Sequence, residues 1–253
     1  MVHDIGEESY VSLIADKEGY MIYGYKKGYP LNALWGFQYA GPWHNQEEID
    51  RNKHTKTYAS VLTQTPGNPK FVDQNKDGII SQDDLIYLGS SDPDLYGGLQ
   101  NTFGFKNWTL SLYFTYSIGG KIYNFSEMYM TGTSYVNQYR YMLDAWHPVR
   151  NPDSWYPRAG YDDCASPSTL LLHDASYLRL QNVTLSRRFE FRKKKFFKDI
   201  TVSLKGDNLF LLTEYNGYDP DVSTESSGSV LRRVDMGAYP KSRKVTVGVK
   251  LNF

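Results

Sequence analysis

The sequence predicts an all-β fold, and three features of its 253 residues support that prediction. Several segments alternate apolar and polar side chains with a period of two, which is typical of β-strands that have two different faces. Turn residues punctuate the whole chain, and no long stretch shows the period of an amphipathic helix. Aromatic residues reach 15%, with 22 Tyr, 12 Phe and 5 Trp. Because Tyr and Trp gather where polar and apolar surroundings meet, this composition favours either a membrane β-barrel or a soluble sugar-binding β-protein.

Charge and composition exclude several other classes. Lys plus Arg and Asp plus Glu both number 28, so the net charge is zero, which argues against a dedicated nucleic-acid-binding domain. No segment has the roughly 18 consecutive apolar residues that a membrane-spanning helix needs. The single cysteine, Cys164, leaves no partner for a disulfide and no set of cysteines for a zinc site.

The clearest predicted strand is 245–253, whose odd-numbered residues are apolar and whose even-numbered residues are small or polar. Nine residues is roughly the length of a tilted strand that crosses a membrane. Residues 108–117 alternate in the same way, with aromatic side chains at both ends of the apolar face, as a lipid-facing strand would have. Residues 99–105 precede them across the short turn Lys106-Asn107, so the two segments predict a hairpin.

Two further strands are predicted at 199–212 and 176–188. In the first, Ile200, Val202 and Leu204 alternate with polar residues. In the second, the alternation slips at Asn182, which indicates a β-bulge.

The connections between these strands alternate in length. Lys106-Asn107 and residues 191–198 are short, whereas 118–175, 213–243 and 41–96 are long. Short turns at one end and long loops at the other are typical of outer-membrane barrels, and a soluble sandwich has no reason to sort its loops in this way.

One of the long connections contains a candidate calcium loop at residues 73–84. Oxygen ligands occur at positions 1, 3 and 5, a glycine at position 6 permits a sharp turn, and a carboxylate occupies position 12. The predicted ligands are Asp73, Asn75, Asp77, the carbonyl of Ile79, and Asp84. The alternative is a turn held by Asn and Asp side chains without metal, since position 12 is Asp rather than the usual Glu.

The long connections also contain Trp43, Trp146 and Trp155, which are candidates for stacking on sugar rings or docking a partner; alternatively, they pack the loops together. Glycosidase chemistry needs only two placed acids, and Asp162-Asp163 and Asp219/Asp221 offer such pairs. Acids are common in loops, and no nucleophile or histidine pair accompanies these, so we expect no enzymatic activity.

A basic run with interleaved aromatic residues occupies 187–198. Taken alone, it could form a nucleic-acid patch. Its position between two predicted strands favours a solvated hairpin turn near a membrane surface.

Several motifs together resemble the C-terminal part of a SusC/RagA-type TonB-dependent outer-membrane transporter of Bacteroidetes. Their order and spacing extend through nearly the whole chain. The motifs are GYPLNALWGFQY at 28–39, FVDQNKDGIISQDD at 71–84, YLG at 87–89, GGKIYN at 119–124, YLRLQNVTL at 177–185, DNLF at 207–210, GYDPD at 217–221, Tyr239-Pro240 and the terminal Phe253.

This resemblance implies a large plugged barrel of the 22-stranded kind in the outer membrane. It further implies import of oligosaccharides, or in some relatives peptides, driven by TonB and assisted by a SusD-like surface lipoprotein. The final strand, with Val249, Leu251 and Phe253, resembles the C-terminal signal for outer-membrane insertion. If Phe253 lies in the periplasm, the short turns lie there too, and the calcium-like and tryptophan-bearing loops face outward.

We expect residues 1–253 to be a partial barrel, because a complete receptor also needs a signal peptide, a plug and a TonB-contacting segment. Five or six strands cannot close a 22-stranded barrel, so the chain is expected to be inactive alone, with TonB contacts supplied by the missing N-terminal part. The alternative is a soluble secreted carbohydrate-binding β-sandwich with a calcium-stabilised loop.

Overall fold

The computed structural model describes residues 26–52, 64–132, 137–160, 168–191, 196, 198–222 and 233–253. In chain order the strands are β1 Ala33–Gly36, β2 Tyr39–Pro42, β3 Pro69–Phe71, β4 Ile86–Ser90, β5 Leu95–Phe105, β6 Trp108–Ile118, β7 Lys121–Asn124, β8 Leu172–Asp174, β9 Tyr177–Glu190, β10 Asp199–Thr213, β11 Val234–Asp235 and β12 Lys244–Asn252. The helices are α1 Gln46–Arg51 and α2 Phe125–Gly132, with short 3-10 helices at Gln82–Asp84, Arg140–Asp144 and Thr169–Leu171. None of the helices in these ranges has the length and apolar character needed to cross a membrane.

Five long strands form one antiparallel sheet in the order β12-β10-β9-β6-β5. This sheet belongs to a compact unit drawn from Pro93–Gly120, Asp174–Asp221 and Tyr239–Phe253. Every strand predicted from alternation is present, although β5 starts at Leu95 rather than at Leu99. The mostly β, antiparallel fold class is therefore confirmed.

The two faces of the sheet differ in chemistry, as the alternation predicts. One face carries aliphatic rows such as Leu110, Leu185, Leu204 and Val247, paired across four strands. The opposite face carries polar rows such as Thr102, Ser111, Thr184, Lys205 and Thr246. We call these the apolar face and the polar face.

The predicted bulge in β9 is confirmed. Tyr113 pairs with Asn182 and Phe114 pairs with Leu180, so one residue of β9 has no partner on β6. The extra residue keeps Leu180 and Val183 on the same face although they are three positions apart. The bulge therefore extends the apolar face along the whole of β9.

Short and long connections alternate along the chain, as predicted. The turn between β5 and β6 is only Lys106-Asn107, with Lys106 in the left-handed region at φ 53°. Asn107 fixes this turn to β9, because its carbonyl accepts from the Arg188 N–H at 2.9 Å and its side chain donates to the Arg188 carbonyl at 2.9 Å. Residues 191–198 link β9 to β10 and include part of the basic run, of which 192–195 and 197 lie outside the described residues.

The apolar face is largely exposed, which argues against the soluble sandwich. In a sandwich, a second sheet covers the apolar face and forms the core. On β12, however, Val245, Val247 and Val249 expose 69%, 70% and 63% of their surfaces. An apolar face with this exposure differs from the covered inner face of a sandwich.

The long connections contribute a second compact unit, whose described residues fall within 26–92, 121–173 and 222–238. Its sheets are small: β1 pairs with β4, β2 pairs with β3, and β7 lies between β8 and β11. One core cluster centres on Leu34, Tyr123, Leu171 and Val234, and another centres on Phe37, Tyr39, Phe71 and Ile80. The sequence predicted long loops in this part of the chain. The structure shows that these connections contain short strands, which cannot span a membrane but pack into a compact unit.

Candidate functional site

The apolar face ends in aromatic side chains beside the short turns. Phe105 pairs with Trp108 across the β5–β6 turn, and Phe189 lies near the end of β9. Between this end and Tyr116, Leu110 pairs with Leu185, Leu112 with Val183 and Phe114 with Leu180. On β6 the aromatic residues Trp108, Phe114 and Tyr116 thus flank the aliphatic pair Leu110 and Leu112, an arrangement that resembles a lipid-facing barrel wall.

The predicted insertion signal lies on β12, at one end of the strand order of this sheet. Val249 and Leu251 project on the apolar face, opposite Val202 and Ile200, and Phe253 follows the strand. The use of these residues in membrane insertion remains a prediction.

Two of the three loop tryptophans are buried. Trp43 packs in its unit with the Lys70 ammonium 5.3 Å from its ring centroid. Trp146 is also buried. Gly67 packs so closely against its ring that a Cβ atom at position 67 would come within 2.5 Å of a ring carbon. The burial of both rings favours the packing alternative for Trp43 and Trp146.

Trp155 is accessible, with 58% of its surface exposed. Its ring meets Tyr39 edge-on at a centroid distance of 5.2 Å, and the Tyr39 hydroxyl donates to the Trp155 carbonyl at 2.6 Å. The ring borders a cavity of about 420 Å³, which is also lined by Asp144, Arg150, Asn151, Asp153 and Tyr156. A fixed aromatic ring beside charged and amide side chains can hold a ligand that has both apolar and polar edges.

In the calcium-like loop, Asp84 anchors the backbone. Its side chain is wholly buried. One carboxylate oxygen accepts from the Gln74 N–H at 2.7 Å, and the other accepts from the Ser81 N–H at 2.8 Å. Asp84 therefore closes the loop by hydrogen bonds to its backbone.

The other predicted ligands also bind the loop backbone. Asp73 accepts from the N–H groups of Lys76 and Gly78 at 2.7 and 2.9 Å. Asn75 accepts from the Asp77 N–H at 2.9 Å, and Asp77 accepts from the Ile79 N–H at 2.7 Å. Within the described ranges, no three or more His, Cys, Asp or Glu side chains are placed together to hold a metal ion. Calcium binding by Asp73, Asn75, Asp77, Ile79 and Asp84 remains a prediction.

We expect Asp73→Ala to abolish calcium binding, because this substitution removes the first carboxylate of the loop. Isothermal titration of calcium into the protein measures the effect. Asp83→Ala is the matched control, since Asp83 is an exposed acid of the same loop outside the predicted ligand set. Unaltered calcium binding by Asp73→Ala would exclude the site.

Sequence reasoning missed a buried ion pair in the sheet unit. The Arg179 guanidinium on β9 contacts the Asp219 carboxylate at 2.6 Å, and only 3% and 2% of the two side chains are exposed. The same oxygen of Asp219 accepts from the Asp221 N–H at 2.9 Å. The pair therefore holds the segment after β10 against the sheet strand that carries Arg179.

The acids considered as a glycosidase pair are engaged with cations instead. Asp219 pairs with Arg179, and Asp221 contacts the Lys241 ammonium. Asp162 and Asp163 lie outside the described residues. Both described acids are therefore engaged in ion pairs.

A second polar cluster, also missed, surrounds Glu127 on α2. The Tyr141 hydroxyl donates to one carboxylate oxygen of Glu127, and His173 Nε2 lies 2.6 Å from the other. Burial raises the pKa of Tyr141 above its ordinary value, and the Glu127 carboxylate raises it further. Since Tyr141 stays neutral, it remains a hydrogen-bond donor that joins α2 to the 3-10 helix Arg140–Asp144.

Comparison with known proteins gives relatives of a consistent kind. No protein-family model matches the chain. The TonB-dependent receptor P26 of Formosa agariphila is 34% identical over 236 residues, which cover 89% of this chain and 23% of that receptor. The TonB-dependent receptor SusC of Bacteroides thetaiotaomicron is 26% identical over 188 residues, which cover 72% of this chain and 17% of SusC.

A solved structure of the RagAB peptide transporter matches in fold with a TM-score of 0.66 at 25% identity, covering 90% of this chain and 24% of the matched chain. The chain thus spans between 17% and 24% of the length of these relatives. Sequence and fold agree with the family that the motifs predicted. The chain therefore belongs with the TonB-dependent receptors of the SusC/RagA type.

Proposed function

We propose that this chain forms part of the barrel wall of an outer-membrane importer for oligosaccharides or peptides, which acts with a SusD-like surface lipoprotein. The observation that carries the proposal is the five-stranded antiparallel sheet with one exposed apolar face, in a chain homologous to TonB-dependent receptors. In this role the polar face lines the interior of the barrel and the apolar face meets lipid.

The lengths of β5 and β6 fit this placement. β5 and β6 each have 11 residues, which is the length of a tilted strand that crosses a bilayer. Closure against the other strands of a receptor would also pair the outer edges of β5 and β12, which otherwise leave backbone groups without partners in lipid.

The substrate class and partner are inferred from the relatives and from one exposed ring. SusC and RagAB are relatives of the chain, and RagAB is a peptide transporter. The long connections that contain Trp155 would face outward, where substrate and a surface lipoprotein are met. The Trp155 ring and its neighbouring acids and amide suit an oligosaccharide, whose rings have apolar faces and hydroxyl edges.

Substrate uptake by a strain that produces the receptor tests the proposal. We expect Trp155→Ala to weaken uptake or binding of labelled oligosaccharide about two- to tenfold, since an aromatic contact contributes about 0.5–1.5 kcal/mol. Leu143→Ala is the matched control, because Leu143 is an exposed apolar residue of the same connection that does not line the cavity. If the receptor imports labelled peptides but no oligosaccharide, its substrate class is peptide. A protein found in the soluble fraction, without uptake of either, would contradict the proposal.

A further inference from the structure

Adjacent arginines at the end of β9 have opposite surroundings. Arg188, on the polar face, binds the Asp199 carboxylate at 2.7 Å. Arg187, on the apolar face, has its guanidinium carbon 5.0 Å from the Trp108 ring centroid and 4.7 Å from that of Phe189. Among the described residues, no carboxylate forms an ion pair with Arg187. Its positive charge is therefore held over aromatic rings without neutralisation.

A second cation lies over an aromatic ring at the same end of the sheet. The Lys106 ammonium is 5.3 Å from the Phe105 ring centroid, and Phe105 pairs with Trp108. No described carboxylate forms an ion pair with Lys106 either. Together Phe105, Lys106, Trp108, Arg187 and Phe189 form what we call the cationic–aromatic band.

The depth of this band matches a membrane–water interface. Trp108 follows the two-residue turn directly, and Arg187 pairs with it. An arginine on the lipid face is costly at the middle of the bilayer but nearly neutral at the interface. In the membrane placement proposed above, the band would lie at the level of the phospholipid phosphates.

We propose that the cationic–aromatic band binds the phosphate of an anionic phospholipid headgroup, with Arg187 as the principal contact. The guanidinium lies over the Trp108 and Phe189 rings, and a guanidinium can donate two N–H groups to the oxygens of one phosphate. The exposed Trp108 and Phe189 rings lie beside the apolar face that would contact the acyl chains. This inference rests on the membrane placement proposed above.

Native mass spectrometry of the receptor in detergent, with added phosphatidylglycerol, tests the inference. We expect Arg187→Gln to weaken phosphatidylglycerol binding about fivefold, and Arg187→Gln with Lys106→Gln to weaken it about 25-fold, since each interfacial cation contributes on the order of a fivefold factor. Lys250→Gln is the matched control, because Lys250 lies on the polar face near the same end of the sheet and is expected to leave binding unchanged.

The outcomes separate the possible explanations. Equal binding by Arg187→Gln and Lys250→Gln overturns the site, as does binding of diacylglycerol, which lacks phosphate, with the same affinity. Displacement of the lipid by millimolar inorganic phosphate overturns the assignment to a lipid headgroup. A wild-type protein that is soluble without detergent and binds no lipid contradicts the membrane placement itself.

A measurement on the unmodified protein covers the case in which Arg187→Gln does not assemble. Binding through exposed cations weakens as salt screens the charges. Phosphatidylglycerol binding should therefore fall as NaCl rises from 0.05 to about 0.5 M, and binding that is independent of salt would overturn the proposal.

Discussion

Asp219→Ala is expected to destabilise the protein by about 3–5 kcal/mol, because it leaves the Arg179 guanidinium buried without a counter-ion. Urea unfolding of the receptor in detergent, followed by tryptophan fluorescence, measures the loss. Both side chains are almost completely buried, so water cannot replace the missing carboxylate.

The exposed pair nearby provides a matched control. Asp221 and Lys241 leave 42% and 38% of their side chains exposed, and Asp221→Ala should cost no more than about 1 kcal/mol. A double variant, Arg179→Met with Asp219→Leu, should recover most of the stability, because apolar pairs often replace buried ion pairs without loss. An equal cost for Asp219→Ala and Asp221→Ala would show that Arg179 does not depend on its buried partner.

Leu112→Arg is expected to destabilise the folded receptor in lipid by about 2–4 kcal/mol, because it places a charge on the lipid face close to the bilayer midplane. Leu112 lies on the apolar face, opposite Val183, near the middle of the 11-residue β6. Refolding into lipid vesicles at graded urea concentrations measures the effect.

Ser111→Arg is the control for the opposite face. Ser111 pairs with Thr102 and Thr184 in a polar row, and in the proposed placement a cation there faces the interior of the barrel rather than lipid. The loss of folding stability caused by Ser111→Arg should be well below the loss caused by Leu112→Arg. Similar costs at the two neighbouring positions would mean that the faces do not have the assigned environments.

The long strands could be predicted because their signals are local. Alternation along β6, β10 and β12 needs only neighbouring residues, and the bulge at Asn182 appears as a slip in the same pattern. The alternation of short and long connections followed from the positions of the strands. Only the strand ends differed, as with the earlier start of β5.

The second unit could not be predicted in the same way. β1 pairs with β4 across about fifty residues, and both strands are too short to show a period. The Arg179–Asp219 pair joins residues 40 positions apart, and neither residue type alone indicates burial. Trp43, Trp146 and Trp155 illustrate the same limit, since identical side chains in similar loops differ only through tertiary packing.

The central claim is that the apolar face of the sheet contacts lipid, and spin labels along β12 test it most directly. Single cysteines at positions 245–252, in a cysteine-free background with Cys164→Ser, carry the labels in the receptor reconstituted into vesicles. We predict that odd positions are accessible to oxygen dissolved in the bilayer, whereas even positions are accessible to a water-soluble nickel complex. Odd positions protected from both reagents would mean that protein covers the apolar face, and would contradict the barrel-wall account.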